Sequence, residues 1–292
     1  MADRPLRPAL NETASAALAG YRAGRISAEV ALMRLSLSGL PAAEIPGILR
    51  DAPELSALAR RHAGGLAVLE RMVRDGAEHA QGVSLAATRE MFDRLVALSP
   101  EASVAAYSLG DPATLAAATA ELVDWLRGLG VLTHRPRVLD LGCGIGRVAA
   151  AVVADAESVL GLDISERMVA EARARHRAVP GLGFDTCSGE GLAGLADAAF
   201  DLVLAVDVFP YLVQAGGRAA AAMLAETARV LRPGGQLVIL NYAYADADGA
   251  GLAAVAPGCG LTLVESGSRP LSLWDAVAFR LVRAPLAGRA GL

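Results

Sequence analysis

The chain has 292 residues, 54% of them hydrophobic and 20% charged, with a net charge of −4; it can bury a substantial core and carries no basic field to hold a phosphate backbone. All 27 basic residues are arginine, so chemistry that needs a lysine is excluded, including a phosphate-cradling Gly-Lys-Ser/Thr loop. Cys143, Cys187 and Cys259 are widely spaced and odd in number, which gives neither a zinc spacing nor a disulfide framework and fits a reducing cytosol.

The N-terminal stretch "MADRPLRPALNETA" lacks the apolar centre of a signal peptide, and no window of 18 residues is apolar and uncharged enough to span a membrane. A cytoplasmic protein that binds no membrane is expected. The first ~130 residues read as successive helices. Apolar positions recur at helical spacing in "SAEVALMRLSL" and "GGLAVLERMVRDGAEHA", with breaks at "GLPAAEIPG" and "RDAPE". Ser99-Pro100 and Asp111-Pro112 each place a polar cap before a proline at the first helical position, and the second of these helices ends at Gly128 and Gly130.

From Arg137 the character changes. Short apolar runs, "RVLDL", "SVLGLD", "LGFDTC", "FDLVLAVDVFPYL" and "GQLVILNY", alternate with helical stretches over 145–154, 165–179 and 217–231. Such alternation implies βαβ units and a parallel sheet covered on both faces. "LRPGG" reads as a helix-to-strand turn, and a glycine- and alanine-rich loop follows Tyr244. Two last strands, "LTLVESGSR" and "DAVAFRLVR", lie close enough to pair as an antiparallel hairpin.

"RVLDLGCGIGR" places Gly142, Gly144 and Gly146 where the first strand hands over to a helix. In open α/β sheets a ligand sits at the carboxyl ends of the strands where strand order reverses, and glycine there permits positive φ and close approach of backbone N–H groups. A dinucleotide fingerprint would need glycine at position 147, where Arg147 stands. The spacing is instead an acid, Asp140, followed by three alternate glycines. A pyrophosphate disfavours an adjacent carboxylate, whereas a ligand carrying an ammonium and a sulfonium can use it. The second strand ends in Asp163, 21 residues after Gly142, where a carboxylate accepts from both ribose hydroxyls. Ser165 caps the helix that follows.

Together "VLDLGCGIGR", "GLDISERMVAEAR", "FDLVLAVD" and "RVLRPGGQLVI" resemble a class I S-adenosylmethionine-dependent methyltransferase over roughly Leu109 to Arg283. The resemblance implies a Rossmann-like, doubly wound, mostly parallel seven-stranded α/β sheet with an antiparallel C-terminal hairpin. An all-α N-terminal domain (1–108) would precede the cofactor-binding domain (109–292). It implies S-adenosylmethionine as cofactor. Asp140, Gly142, Cys143, Gly144 and Gly146 would surround its methionine part, Asp163 its ribose, and Ile164, Met168 and Val206 would lie alongside. Ser188, Gly189 and Glu190 would flank the adenine, although "CSGEGL" departs from the family's frequent Gly-Asp-Ala pattern there. No metal is implied.

By the same resemblance the methyl group lies beside residues 205–211. Base- and amide-methylating relatives show an Asp/Asn-Pro-Pro-aromatic tetrapeptide here; this chain has "DVFPY". With a pI near 5.6, that argues for a small-molecule acceptor and against nucleic acid. Asp207 and Tyr211 are the catalytic candidates. His134 and His176 are expected far from the site, and His62 and His79 on helix surfaces. The helical block is expected to pack over the cofactor, with Tyr107, Phe209, Tyr211, Tyr242 and Trp274 lining the acceptor pocket; the alternative is homodimerisation through that block. Non-methylating use of the cofactor and a non-catalytic partner subunit are the competing functional readings.

Overall fold

The computed structural model describes residues 10–75, 83–244 and 248–284. They form two compact units. Of the described residues, the helical unit takes those within 1–78, 95–118 and 272–275, and the sheet unit those within 79–94, 119–271 and 276–292. The division falls inside two continuous helices, α6 (Leu85–Leu98) and α8 (Pro112–Gly128).

The helical unit begins with α1 (Glu12–Arg22), α2 (Ala28–Leu37), α3 (Ile45–Ile48), α4 (Pro53–Arg61) and α5 (Ala63–Arg74), and α7 (Pro100–Val104) follows α6. Local chemistry sets the starts. The Asn11, Ser27 and Ser99 side chains accept from backbone N–H groups three residues on, and Pro53 and Pro100 open α4 and α7. Leu32, Leu35, Ile45, Leu55, Leu66 and Leu69 have no exposed surface and make the core. α2 also holds the Ser272–Asp275 loop: Ser27 Oγ donates to Leu273 O at 2.9 Å and Arg34 pairs with Asp275. Trp274 stacks on Tyr107, ring centroids 5.3 Å apart, and both are buried.

The sheet unit has seven strands: β1 (Arg137–Leu141), β2 (Ser158–Asp163), β3 (Leu182–Thr186), β4 (Phe200–Val206), β5 (Leu231–Leu240), β6 (Leu261–Ser268) and β7 (Ala278–Arg283). Their order is β3-β2-β1-β4-β5-β7-β6, parallel from β3 to β5 and antiparallel at β7 and β6. Strand order reverses between β1 and β4. On one face Leu139, Val203, Ala205, Leu237, Ile239, Phe279 and Leu281 share a core with side chains of α11 (Phe209–Ala215), α12 (Gly217–Val230) and α13 (Ala250–Val255). The alternate residues Val138, Leu202, Leu204, Val238 and Leu240 are buried as well, so the sheet is covered on both sides. α9 (Arg147–Val152) packs on β2, and α10 (Glu166–His176) on β2 and β3.

Three local readings are corrected. β4 ends at Val206, and Pro210 opens α11 where an extended run to Leu212 was expected, because proline at the first turn is compatible with helix and lacks only an N–H that would have no partner. The loop after Tyr244 contains α13, with Gly249 in the left-handed region at its start. "LRPGG" is the bulged beginning of β5, pairing Phe200 with Leu231 before the register shifts.

Neighbouring glycines of α5 give a direct test of the helical packing. A Cβ on Gly65 would stand 1.7 Å from Leu109 O, whereas one on Gly64 would meet nothing within 4 Å. Gly65→Ala should therefore lower unfolding free energy by roughly 1–3 kcal/mol through forced overpacking. Gly64→Ala should raise it by about 0.5–1 kcal/mol through helix propensity. Urea unfolding of both variants checks the pair; equal effects would refute the placement of α5 against Leu109.

Candidate active site at the carboxyl ends of β1, β2 and β4

Three glycines in the left-handed region carry the chain from β1 to α9: Gly142 (φ 69°), Gly144 (φ 53°) and Gly146 (φ 78°). The N–H groups of Gly142 and Cys143 both donate to Leu162 O, at 2.7 and 2.9 Å, which fastens the loop to β2. Packing demands glycine as strongly as backbone conformation does. A Cβ on Gly142 would lie 2.2 Å from Val208 Cγ2, and one on Gly146 2.6 Å from the Phe184 ring and 2.9 Å from His176. Gly161, inside β2, makes room for Cys143, whose Sγ would be 2.9 Å from a Cβ there.

Two carboxylates hold this loop from beneath. Asp163, 8% exposed, accepts from Gly144 N through Oδ2 and from Ser165 N through Oδ1, each at 2.9 Å. Asp140, 1% exposed, accepts from Ala149 N in the first turn of α9 at 3.1 Å. Burial pushes Asp140 up to about 7; nearby Arg147 and the Ala149 N–H oppose this, and the charge of Asp163 adds to it. Burial also raises Asp163 against the pull of its backbone donors. A buried pair of acids under a glycine loop is a donor set suited to a ligand bearing positive charge and hydroxyl donors, and S-adenosylmethionine has both.

The remaining cofactor candidates fall around this loop. Gly189 (φ 78°), after β3, would carry its Cβ 2.8 Å from Ile164 Cγ2, and Ser188 Oγ accepts from Glu190 N. Met168 is buried in the first turn of α10, where its N–H donates to Ser165 Oγ. Val206 ends β4, and through Val208 the turn that follows it touches Gly142.

Beyond β4 lies a polar cluster. Asp207 (φ 59°) and Asn241 (φ 60°) stand one residue past the paired ends of β4 and β5, both left-handed. Asn241 Nδ2 donates to Asp207 Oδ1 at 2.8 Å, and the Tyr244 hydroxyl lies 3.4 Å from the same oxygen. Tyr211, on α11, has its phenol pushed up, first by burial and then by the charge of Asp207, so it stays protonated.

The sequence reading missed α6 at this site. Leu85 lies 3.4 Å from the Cβ position of Gly189, Phe92 meets Tyr211 edge-on at 5.1 Å, and Asp93 accepts from Ser165 Oγ at 2.6 Å. One helix segment thus touches the loop after β3, the N-cap of α10 and α11. Asn241 and Tyr244 were missed too, although "NYAY" closing a strand was the available signal.

Other expectations need correcting. His176 packs beneath the glycine loop, its Nε2 3.2 Å from Ile145 O, because α10 turns its last residue back toward α9; burial holds its pKa down. Phe209 has no exposed surface and packs with Tyr242 at 5.7 Å inside the sheet core, so it has no face to offer an acceptor. Tyr107 and Trp274 belong to the helical unit. His79 lies outside the described residues.

Residues 139–239 match the family described as methyltransferase domain. This stretch is similar to that family, and the sheet has the seven strands the resemblance implied. The ribosomal RNA large subunit methyltransferase G of Streptomyces coelicolor is 43% identical over 120 residues, 40% of this chain and 32% of that protein. The 27-O-demethylrifamycin SV methyltransferase of Amycolatopsis mediterranei is 34% identical over 137 residues, 45% of this chain and 48% of that one. The chain spans about a third to a half of the length of these curated relatives. The crystal structure of the (4+2)-cyclase SpnF shares the fold, with a TM-score of 0.52 and 17% identity over 71% of this chain and 99% of that one. Among the described residues no helix is long and apolar enough to cross a membrane, and no group of three or more His, Cys, Asp and Glu could hold a metal ion.

The raised Asp140 carboxyl makes stability pH-dependent in a defined direction. The folded state keeps its proton up to about pH 7 while the unfolded chain loses it near 4, so this contribution is full at low pH and lost as pH rises toward 7. Asp140→Asn keeps an acceptor for Ala149 N and removes the titration. Between pH 5 and 8 the native chain should lose ~2–3 kcal/mol relative to this variant, at ~1.4 kcal/mol per pH unit up to pH 7. Parallel urea-midpoint curves for the two proteins would contradict it.

Proposed function

We propose that this protein transfers a methyl group from S-adenosylmethionine to a small-molecule acceptor. The observation that carries the reading is the buried Asp140–Asp163 pair beneath three left-handed glycines, adjoining the Asp207 turn through the Val208–Gly142 contact. When bound, the cofactor supplies a sulfonium-activated methyl carbon. Asp163 would take the ribose hydroxyls on oxygens already oriented by Gly144 and Ser165 N–H groups. Cys143, Ile164, Met168, Ser188, Gly189, Glu190 and Val206 would line the rest of that site. The protein's work is then to align an acceptor in line with the methyl carbon, to exclude water and to take up any proton released. α6, across the ends of β2, β3 and β4, is placed to exclude water. Of the two catalytic candidates only Asp207 is a base, since Tyr211 stays protonated; Tyr211 orients by hydrogen bonding.

The acceptor end supports a small molecule over a nucleic acid. The Asp207 carboxylate and the Phe92–Tyr211 aromatic wall would repel a polyanion and favour an uncharged, ring-bearing molecule. Likeness to a ribosomal RNA methyltransferase over 120 residues keeps RNA as the second reading. Two measurements decide. Asp163→Ala should weaken S-adenosylmethionine binding in calorimetric titration by roughly 1.5–3 kcal/mol, the range for hydrogen bonds to a charged group; unchanged affinity would remove the cofactor assignment. A gel shift with ribosomal RNA fragments should show no tight, salt-sensitive complex.

A further inference from the structure

Asp207 and Asn241 form an unusual pair. They are the first residues beyond two adjacent parallel strands, β4 and β5, and both hold a left-handed conformation that costs a non-glycine residue free energy. Such strain persists where the surroundings over-determine it, and here they do. Asn241 exchanges backbone and side-chain hydrogen bonds with Val277: its N–H donates to Val277 O at 2.8 Å and its Oδ1 accepts from Val277 N at 2.9 Å. With the oxygen committed to an N–H, the amide can turn only its NH2 toward Asp207, so the orientation of the side chain is settled by chemistry. The Tyr244 hydroxyl faces the same Asp207 oxygen, Oδ1, so two donors converge on one carboxylate oxygen. Tyr244 is half-exposed, while burial pushes its phenol up.

We propose that Asn241 and Tyr244 are positioning residues that hold Asp207 as an ionised proton acceptor, and that the methyl acceptor presents a neutral hydroxyl. This rests on the methyl-transfer reading above. An acceptor carboxylate or thiolate would bring a second negative charge against Asp207, and neither has a proton to give. With a hydroxyl the step balances. Its oxygen bonds to the methyl carbon while the carbon–sulfur bond breaks, the electron pair staying on sulfur as a neutral thioether, and the hydroxyl proton passes to Asp207 and from there to water.

The test reads binding without turnover. The full-length protein is saturated with S-adenosylhomocysteine, and 4-nitrophenol is titrated in near neutral pH while the phenolate absorbance is followed. Binding beside the Asp207 carboxylate should favour the neutral phenol and suppress that absorbance, and the anionic 4-nitrobenzoate should compete at least tenfold more weakly. Asn241→Ala and Tyr244→Phe should each lose most of the suppression and Asp207→Asn should abolish it, all three with S-adenosylhomocysteine affinity within about threefold of native. Tyr244→Phe leaves the Asn241–Val277 hydrogen bonds in place, so its result stands even where Asn241→Ala fails to fold. Absence of phenol binding, preference for the benzoate, or unaltered suppression in Tyr244→Phe and Asp207→Asn overturns the inference. Failure of the native protein to bind S-adenosylhomocysteine overturns instead the function on which it rests.

Discussion

Everything at the carboxyl edge of this sheet depends on the Asp163 carboxylate. One oxygen fixes Gly144 at the crown of the β1 loop and the other fixes Ser165 at the start of α10, so a single side chain holds two loops in register. The arrangement is costly, because Asp140 is buried in the same place and each acid raises the free energy of the other's charge. Three backbone N–H groups and Arg147 offset part of that cost, and the upward shift of Asp140 measures what they leave. A fold that needed only to be stable would put an amide or an apolar residue there. Retained buried charge is stored free energy that a cationic ligand can recover on binding.

The glycines transmit this constraint outward. Because Gly142 touches Val208 and Gly146 touches Phe184 and His176, the loop is in contact with the β4 turn, with β3 and with α10. Its alternate glycines therefore answer two demands at once: positive φ, which the turn requires, and the absence of a side chain where three neighbouring elements converge. A closely packed cradle results.

How much of this the sequence discloses follows from how local each feature is. β1, the glycine loop, β2 and the Ser165 cap lie within about thirty residues, and alternation, acid placement and cap chemistry suffice to read them. The C-terminal hairpin was legible too, from two apolar runs close in sequence. α11 was not, because "VFPYL" is apolar enough to continue a strand and only the left-handed Asp207 ends it. α6 was read as one more helix of the N-terminal block. Nothing in its own periodicity says that Leu85, Phe92 and Asp93 meet residues some 70 to 120 positions away.

The same locality argument explains why the two halves of the site differ in kind. The cofactor half is built from consecutive residues and backbone N–H groups, which any chain with that spacing reproduces. The proposed acceptor half draws on side chains of α6, α11 and the turns after β4 and β5, which lie apart in sequence from β1 and β2. The Asp207–Asn241 link is anchored through Val277, the residue before β7. The residue that leads into the antiparallel strand β7 thereby supplies the backbone that orients an amide, and the amide orients the carboxylate. Acceptor specificity on this fold can change around that fixed carboxylate without altering how the methyl donor is held.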